Sequence, residues 1–115
     1  LPEVNLSTEA TPVTINDAAL TARLRTAFAQ AFGDGVLKSP PRTNMGAEDF
    51  AYFVTPESGV KGVYFAVGGT LPAELATAAG HHSPLFKIAP EPSITLGTEA
   101  MVLASLELLK PFEAE

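Results

Sequence analysis

Two adjacent histidines are the residues in this sequence best suited to hold a metal ion or to transfer protons. His81 and His82 are the only histidines among the 115 residues, and they lie in a predicted loop between Gly80 and Ser83-Pro84. Imidazole titrates near neutral pH and is a common metal ligand, whereas an ordinary loop histidine is simply solvated. Adjacent loop side chains usually point in different directions, so we expect at most one of the two to face a site. A catalytic zinc needs about three protein ligands, so the others would be carboxylates of this chain or groups that lie elsewhere.

Glu48 and Asp49 form the only adjacent acidic pair in the chain. They follow Gly46 and Ala47, at the predicted start of a short helix. One interpretation is a helix cap, because free backbone N–H groups at a helix N-terminus stabilise a carboxylate. The other is a contact at the rim of a binding site, with Gly46 allowing a ligand to approach the backbone closely. The residue types alone leave both interpretations open.

The composition indicates an acidic, folded protein and argues against several classes of function. Seven basic and 13 acidic residues give a formal charge of −6, which disfavours a nucleic-acid surface and adhesion to anionic lipid. With 46% hydrophobic and 17% charged residues, the chain is too apolar for a disordered tail. No cysteine is present, which excludes disulfides and thiolate zinc ligands within these residues. No apolar run approaches the ~18 residues of a membrane span and no basic–apolar signal sequence is present, so we expect a cytoplasmic protein without membrane partners.

Three predicted elements would position these groups. Asn16 is the predicted N-cap of a helix that Gly33 ends and that carries an apolar stripe: Leu20, Leu24, Ala27, Phe28 and Ala31. Residues 63–67 (Val-Tyr-Phe-Ala-Val) lack alternating polar side chains, which predicts a strand buried on both faces. Ser93 is the predicted cap of a last helix that is apolar on more than one side. Helix, strand and helix in this order indicate an α/β fold.

Four segments, taken in order, resemble the zinc-dependent aminoacylase and carboxypeptidase-G-like metallopeptidases. They are residues 45–51 (Met-Gly-Ala-Glu-Asp-Phe-Ala), the run that ends in Gly68-Gly69, residues 82–86 (His-Ser-Pro-Leu-Phe) and Leu96-Gly97. The most similar branch comprises hippurate hydrolases, N-acyl amino acid amidohydrolases and auxin-conjugate hydrolases. Asn16-Asp17 with Leu20 also resembles the Asn-Asp-x-x-Leu helix start of this branch. The resemblance covers most of the chain from residue 13 onward.

The resemblance implies a fragment of a mixed-sheet α/β catalytic domain with flanking helices. Residues 1–14 would be the last strand of an inserted lid domain, through which family members often form homodimers. Residues 15–115 would be the C-terminal portion of the catalytic domain, within a longer protein. We expect the 115 residues alone to be inactive and to self-associate, because the faces that the missing part should cover would be exposed.

The resemblance also assigns one metal ligand and part of the substrate wall to this chain. The family's histidine before Ser-Pro binds a metal of a dinuclear site and corresponds to His82, with His81 as the alternative. Gly46, Ala47 and Glu48 correspond to a loop near bound substrate, where Ala47 replaces the more usual serine. The implied cofactor is a divalent metal, zinc first, with manganese and cobalt as alternatives. Its other ligands and the glutamate that acts as general base would come from outside these residues, so no catalytic residue is assigned here.

The implied function is metal-dependent amide hydrolysis. The substrate would be an N-acyl amino acid or a related conjugate, cleaved by metal-activated water in the full-length protein. The alternative is a non-catalytic scaffold or binding domain that retains the fold, which the small number of titratable residues in the chain would favour. A His-x-Asp segment and a Glu-Glu pair upstream would favour the enzyme.

Overall fold

Two α-helices are the main elements of the protein. The computed structural model describes residues 2–6, 10–39 and 46–111. In these ranges it contains α1 (Ala18–Phe32), α2 (Pro90–Leu108) and four 3₁₀ helices, Asp34–Val36, Asp49–Phe53, Pro56–Ser58 and Pro72–Glu74. Residues 2–6 and 10–14 form no regular element, so no lid strand is seen there. Met45, residue 1 and residues 7–9 lie outside the described ranges, and the division at residue 14 stays a prediction.

Helix α1 begins one residue later than its sequence predicts. Asp17 is the N-cap, and its Oδ1 accepts a hydrogen bond from the Leu20 N–H at 2.8 Å. Asn16, the predicted cap, instead forms hydrogen bonds with the backbone of Tyr64. The helix ends at Gly33, whose φ of 85° lies in the left-handed region that favours glycine. Four members of the predicted apolar stripe are buried: Leu20, Leu24, Ala27 and Phe28.

The small core lies where α1 crosses α2. Leu24 and Phe28 of α1 pack with Ala100 and Ala104 of α2. The two alanines are four residues apart and therefore lie on the same face of α2, where their small side chains let α1 approach closely. The ring of Phe28 also meets that of Phe65 edge-on, at 5.4 Å between centroids. Residues 63–67 are thereby attached to the helix pair.

An ion pair joins the two helices at the C-terminal end of α2. Arg23 Nε lies 3.0 Å from Glu107 Oε1, and the same guanidinium donates to the backbone carbonyls of Glu107 and Lys110. Carbonyls in the last turn of a helix lack the N–H partners that a further turn would supply. The Lys110 N–H donates to the Glu107 carbonyl at 3.2 Å, and Arg23 adds a second donor there. Hydrogen bonds from Lys110 and from Arg23 lower the pKa of Glu107 below its ordinary value.

The predicted α/β fold is wrong for the described residues, which contain helices and no strand. Residues 63–67 were expected to be a strand buried on both faces, but Tyr64 and Val67 are exposed and only Val63 and Phe65 pack toward the core. A strand requires a backbone neighbour with which to form a ladder. Here Tyr64 instead exchanges its backbone hydrogen bonds with a side chain, that of Asn16. A mixed sheet is therefore absent from this part of the chain.

Helix α2 begins at Pro90 rather than at Ser93. Proline is favoured in the first helical turn because its missing N–H is not needed there, and the N-cap Ala89 makes no side-chain capping bond. Ser93 lies inside the helix, and its hydroxyl donates to the Ala89 carbonyl at 2.6 Å. Several large apolar side chains of α2 are exposed: Ile94, Met101, Val102, Leu106 and Leu108. Neither helix of the described ranges has the length and hydropathy that a membrane crossing would require.

Candidate functional site

The two histidines lie in a tight turn that leads into a second turn. The Ser83 N–H donates to the Gly80 carbonyl at 3.4 Å and closes the first turn around His81 and His82. The Phe86 N–H donates to the Ser83 carbonyl at 3.0 Å and closes the second. Both imidazoles are exposed. The loop predicted from the sequence is therefore present, with its two side chains accessible.

The structure distinguishes the two imidazoles. His81 packs against the ring of Phe86, with 5.0 Å between ring centroids. His82 is the only non-glycine residue of the described ranges with a positive φ, at 64°. That conformation is uncommon for residues with a Cβ, although histidine adopts it more readily than most, and strained backbone of this kind clusters at functional sites. His82 is thus the member of the pair whose backbone is held in an unusual position and whose ring has no described stacking partner.

One imidazole does not make a metal site. In the described ranges, no three His, Cys, Asp or Glu side chains are grouped so that they could hold a metal ion. A catalytic zinc needs about three protein ligands. The described residues could therefore supply only one ligand to a metal ion. The other ligands would have to come from elsewhere.

The predicted substrate rim lies before the 3₁₀ helix Asp49–Phe53. Gly46, Ala47 and Glu48 are all exposed, and Glu48 is the N-cap residue of this helix with an extended backbone, φ −134° and ψ 133°. Its side chain makes no capping hydrogen bond. The acidic pair therefore lies at the start of the helix, as the cap interpretation expects, with Asp49 in the first turn, but the Glu48 side chain does not cap it. No described hydrogen bond or ring contact joins Glu48 to either histidine.

The Glu48 carboxylate affects the pKa of the Tyr64 phenol. Partial burial of the phenol raises the pKa of Tyr64, and the hydrogen bond to Glu48 and the negative charge of that carboxylate raise it further. A phenol can donate to a carboxylate only while it is protonated, so this hydrogen bond adds to the upward shift that burial causes. Tyr64 is not among the predicted site residues, although it is the only polar side chain in the apolar run 63–67, which is a signal in the sequence that marks it.

The backbone of Tyr64 is held by Asn16. The Asn16 carboxamide accepts the Tyr64 N–H at 2.8 Å and donates to the Tyr64 carbonyl at 2.8 Å. Next to this pair, the Asp17 N–H donates to the Gly62 carbonyl at 2.9 Å. The N-terminus of α1 is therefore attached to residues 62–64 by three hydrogen bonds. The two neighbouring residues have different roles: Asp17 caps the helix, and Asn16 binds the segment 62–64.

An open apolar groove of about 710 Å³ runs between residues 63–67 and α2. Its described lining contains no charged side chain and includes Phe50, Tyr64, Phe65, Ile94, Met101 and Val102. None of the predicted site residues lines it. Because few polar groups converge there, the groove has the character of an uncovered packing surface more than of a catalytic pocket.

The chain belongs to Peptidase family M20/M25/M40, whose model matches residues 2–109. This match confirms the family of metallopeptidases that the four sequence segments resemble, and it indicates a hydrolase of the peptidase and amidohydrolase type. The hippurate hydrolase branch is a finer assignment and stays a prediction. No curated protein and no solved structure matches the chain.

Proposed function

We propose that these residues are part of a metal-dependent amidohydrolase that cleaves N-acyl amino acids or related conjugates. The family match over residues 2–109 supports the hydrolase class, and the position of His82 in the loop is the observation that supports a role for this part of the chain. A bound divalent metal, zinc first, would polarise the amide carbonyl and lower the pKa of its water toward neutrality. The acyl and amino acid preferences are not part of the proposal.

His82 is the proposed metal ligand, in preference to His81. The left-handed backbone at His82 is costly and persists only where the surrounding structure enforces it. The ring contact with Phe86 occupies a face of the neighbouring imidazole. His82 therefore combines an accessible ring with an enforced direction, which a metal ligand requires.

The exposed apolar surface supports a larger catalytic unit, in which other polypeptide covers this part. The 12.0 kDa chain exposes 9651 Å², whereas a compact monomer of that mass is expected to expose about 6,000 Å². Exposed residues such as Met101 and Val102 surround the open groove. Contiguous apolar surface of this kind marks an interface. The proposed metal would then bind where His82 meets ligands from the covering part.

Metal content and hydrolysis in matched histidine variants test this proposal. In the full-length protein that carries these residues, His82→Ala should lose most of one bound metal equivalent. Its hydrolysis of N-benzoylglycine should fall at least about a hundredfold, because losing even an outer-shell partner of a ligand costs roughly 10–100-fold. His81→Ala is the control, one residue away in the same turn, and should retain both. Elemental analysis of dialysed protein measures the metal independently of activity.

Two results would count against the proposal. Unchanged metal content in His82→Ala would show that this imidazole is not a ligand. A wild-type protein that is inert toward a panel of N-acyl amino acids with zinc, manganese and cobalt would contradict the proposed reaction. The second result would favour the alternative of a non-catalytic scaffold or binding domain.

A further inference from the structure

Ser83 is the residue at which the two consecutive turns of the histidine loop meet. Its N–H donates to the Gly80 carbonyl at 3.4 Å and closes the first turn, and its carbonyl accepts the Phe86 N–H at 3.0 Å and closes the second. Its hydroxyl accepts the Leu85 N–H at 3.1 Å. All three polar groups of this residue are therefore used within the loop. Ser83 is half-buried, whereas its neighbours on either side are exposed.

The second turn has the residue types that such a turn favours. Serine is favoured at the first position of a common β-turn and proline at the second, where its ring presets φ, and Ser83-Pro84 occupy these positions. Proline also restricts the backbone of the residue before it. The bond between the Ser83 hydroxyl and the N–H two residues on reinforces the same turn. The local sequence therefore makes residues 83–86 a firm support for the turn that precedes them.

His82 depends on that support, because its own backbone is strained. It is the third residue of the first turn and has a φ of 64°, a left-handed value at which turns usually contain glycine or asparagine. Among the described residues His82 makes no hydrogen bond, so the constraint comes through its neighbours. The closing bond from Ser83 to Gly80, at 3.4 Å, is longer than the usual range of about 2.7–3.2 Å. That bond alone would hold the turn weakly.

We propose that Ser83 is a positioning residue that fixes the direction of the His82 imidazole, by joining the turn that carries His82 to the turn that follows it. This inference rests on the proposed function, because it treats His82 as a metal ligand. The hydroxyl bond to Leu85 keeps Ser83 in the conformation in which its N–H points at the Gly80 carbonyl. That closing bond in turn keeps His82 at its positive φ. A ligand whose backbone is fixed in advance loses less conformational freedom on binding.

The test compares Ser83→Ala with Ser58→Ala in the full-length protein. The Ser58 hydroxyl accepts the Val60 N–H, two residues on, at 3.1 Å, which is the same arrangement and distance as for Ser83 and Leu85. Ser58 also donates to two backbone carbonyls and lies outside the histidine loop. Ser58→Ala therefore removes at least as much hydrogen bonding as Ser83→Ala and is a stringent matched control.

The affinity for Zn²⁺, measured by chelator competition on dialysed protein, is the main readout. In Ser83→Ala we expect it to fall by about tenfold, the lower end of the range of roughly 10–100-fold that the loss of an outer-shell partner gives. Ser83→Thr keeps the hydroxyl and should restore the wild-type affinity, and Ser58→Ala should retain it. A general loss of stability would not give this pattern, because Ser58→Ala would share the weaker binding.

Amide hydrogen exchange of the metal-free protein, measured residue by residue, gives a readout that depends on neither metal nor activity. In Ser83→Ala the Leu85 amide loses its acceptor directly, so the informative amides are those of Ser83 and Phe86. Both should exchange faster than in wild type, in Ser83→Thr and in Ser58→Ala, because the turns that they close open more often.

The two proposals fail in distinguishable ways. If His82→Ala keeps its metal, the proposed ligand is wrong, and the exchange of the Ser83 and Phe86 amides still decides whether Ser83 holds the turn. If His82→Ala loses its metal but Ser83→Ala binds Zn²⁺ as tightly as wild type, the proposed function stands and the positioning role is overturned. Equal exchange of these amides in Ser83→Ala and Ser58→Ala would overturn it too, as would an equal loss of Zn²⁺ affinity in both variants.

Discussion

Gly62 lies directly under the 3₁₀ helix Asp49–Phe53, and a methyl group at this position should destabilise the fold. A Cβ there would lie 2.5 Å from Val54 Cγ1 and 2.8 Å from Phe50 Cζ, whereas carbon atoms in good contact are about 3.5–4.0 Å apart. The χ1 angle of valine is restricted by the branch at its Cβ. The Phe50 ring is held by its contact with Tyr64. Gly62→Ala therefore forces the helix away from residues 62–64 or forces side chains off their rotamers.

The expected cost follows from the size of this overlap. Adding one carbon atom to a packed site typically costs about 1–3 kcal/mol, and both neighbouring atoms must move by close to 1 Å. Urea unfolding of Gly62→Ala should therefore show a lower midpoint with an unchanged slope. The amides of residues 46–48 should exchange faster as well, because the helix that follows them is displaced.

Gly68→Ala is the matched control for this experiment. Gly68 lies in the same segment, has no atom within 4 Å of its hypothetical Cβ, and has no positive φ. Both variants reduce the entropy of the unfolded chain equally, so the difference between them isolates the overlap at Gly62. Equal unfolding midpoints for the two variants would refute the packing described here.

Two further predictions concern the helix pair. Leu24→Ala should lower the free energy of unfolding by about 2–5 kcal/mol, because Leu24 is 4% exposed in the core, whereas Leu6→Ala, at a residue that is 86% exposed, should leave it nearly unchanged; equal losses would contradict the assigned core. Glu107→Gln should weaken the dependence of stability on acid pH. Hydrogen bonds from Lys110 and Arg23 lower the folded pKa of Glu107 below its ordinary 4.5, so the wild type has this stabilisation above that value and loses it as the pH falls through the folded pKa. Parallel acid-side curves for wild type and variant, measured by urea unfolding at a series of pH values, would disprove that contribution.

The family and the first helix could be predicted from the sequence because their signals are local. The spacing of Leu20, Leu24 and Phe28 defines one face of a helix wherever the chain goes, and all three are buried. Ala31 continues the same spacing but is exposed, so the periodicity alone does not show how far along α1 the core extends. Gly33 ends the helix as expected, since its left-handed backbone is disfavoured for other residues.

The candidate site was predicted only in part. The loop with His81 and His82 was expected. The positive φ that distinguishes His82 from His81 depends on the turn closed by the hydrogen bond between Gly80 and Ser83. Glu48 occupies the N-cap position that its local sequence predicts, but its side chain makes no capping hydrogen bond. Its effect on the pKa of Tyr64 crosses from one segment to another, and no spacing rule relates the two positions.

The amino-acid sequence specifies local preferences: apolar stripes, helix ends and ordered family segments, each contained within a few neighbouring residues. Pairing between distant residues becomes visible only in the folded chain. The run 63–67 has strand-forming residues but no backbone neighbour in the described ranges, so it forms no strand, and the Asn16 side chain bonds Tyr64 instead. A strand needs a second strand, and the Tyr64 backbone needs a polar side chain, and in each case that partner is remote in the chain. The local sequence does not indicate which remote residue will be the partner.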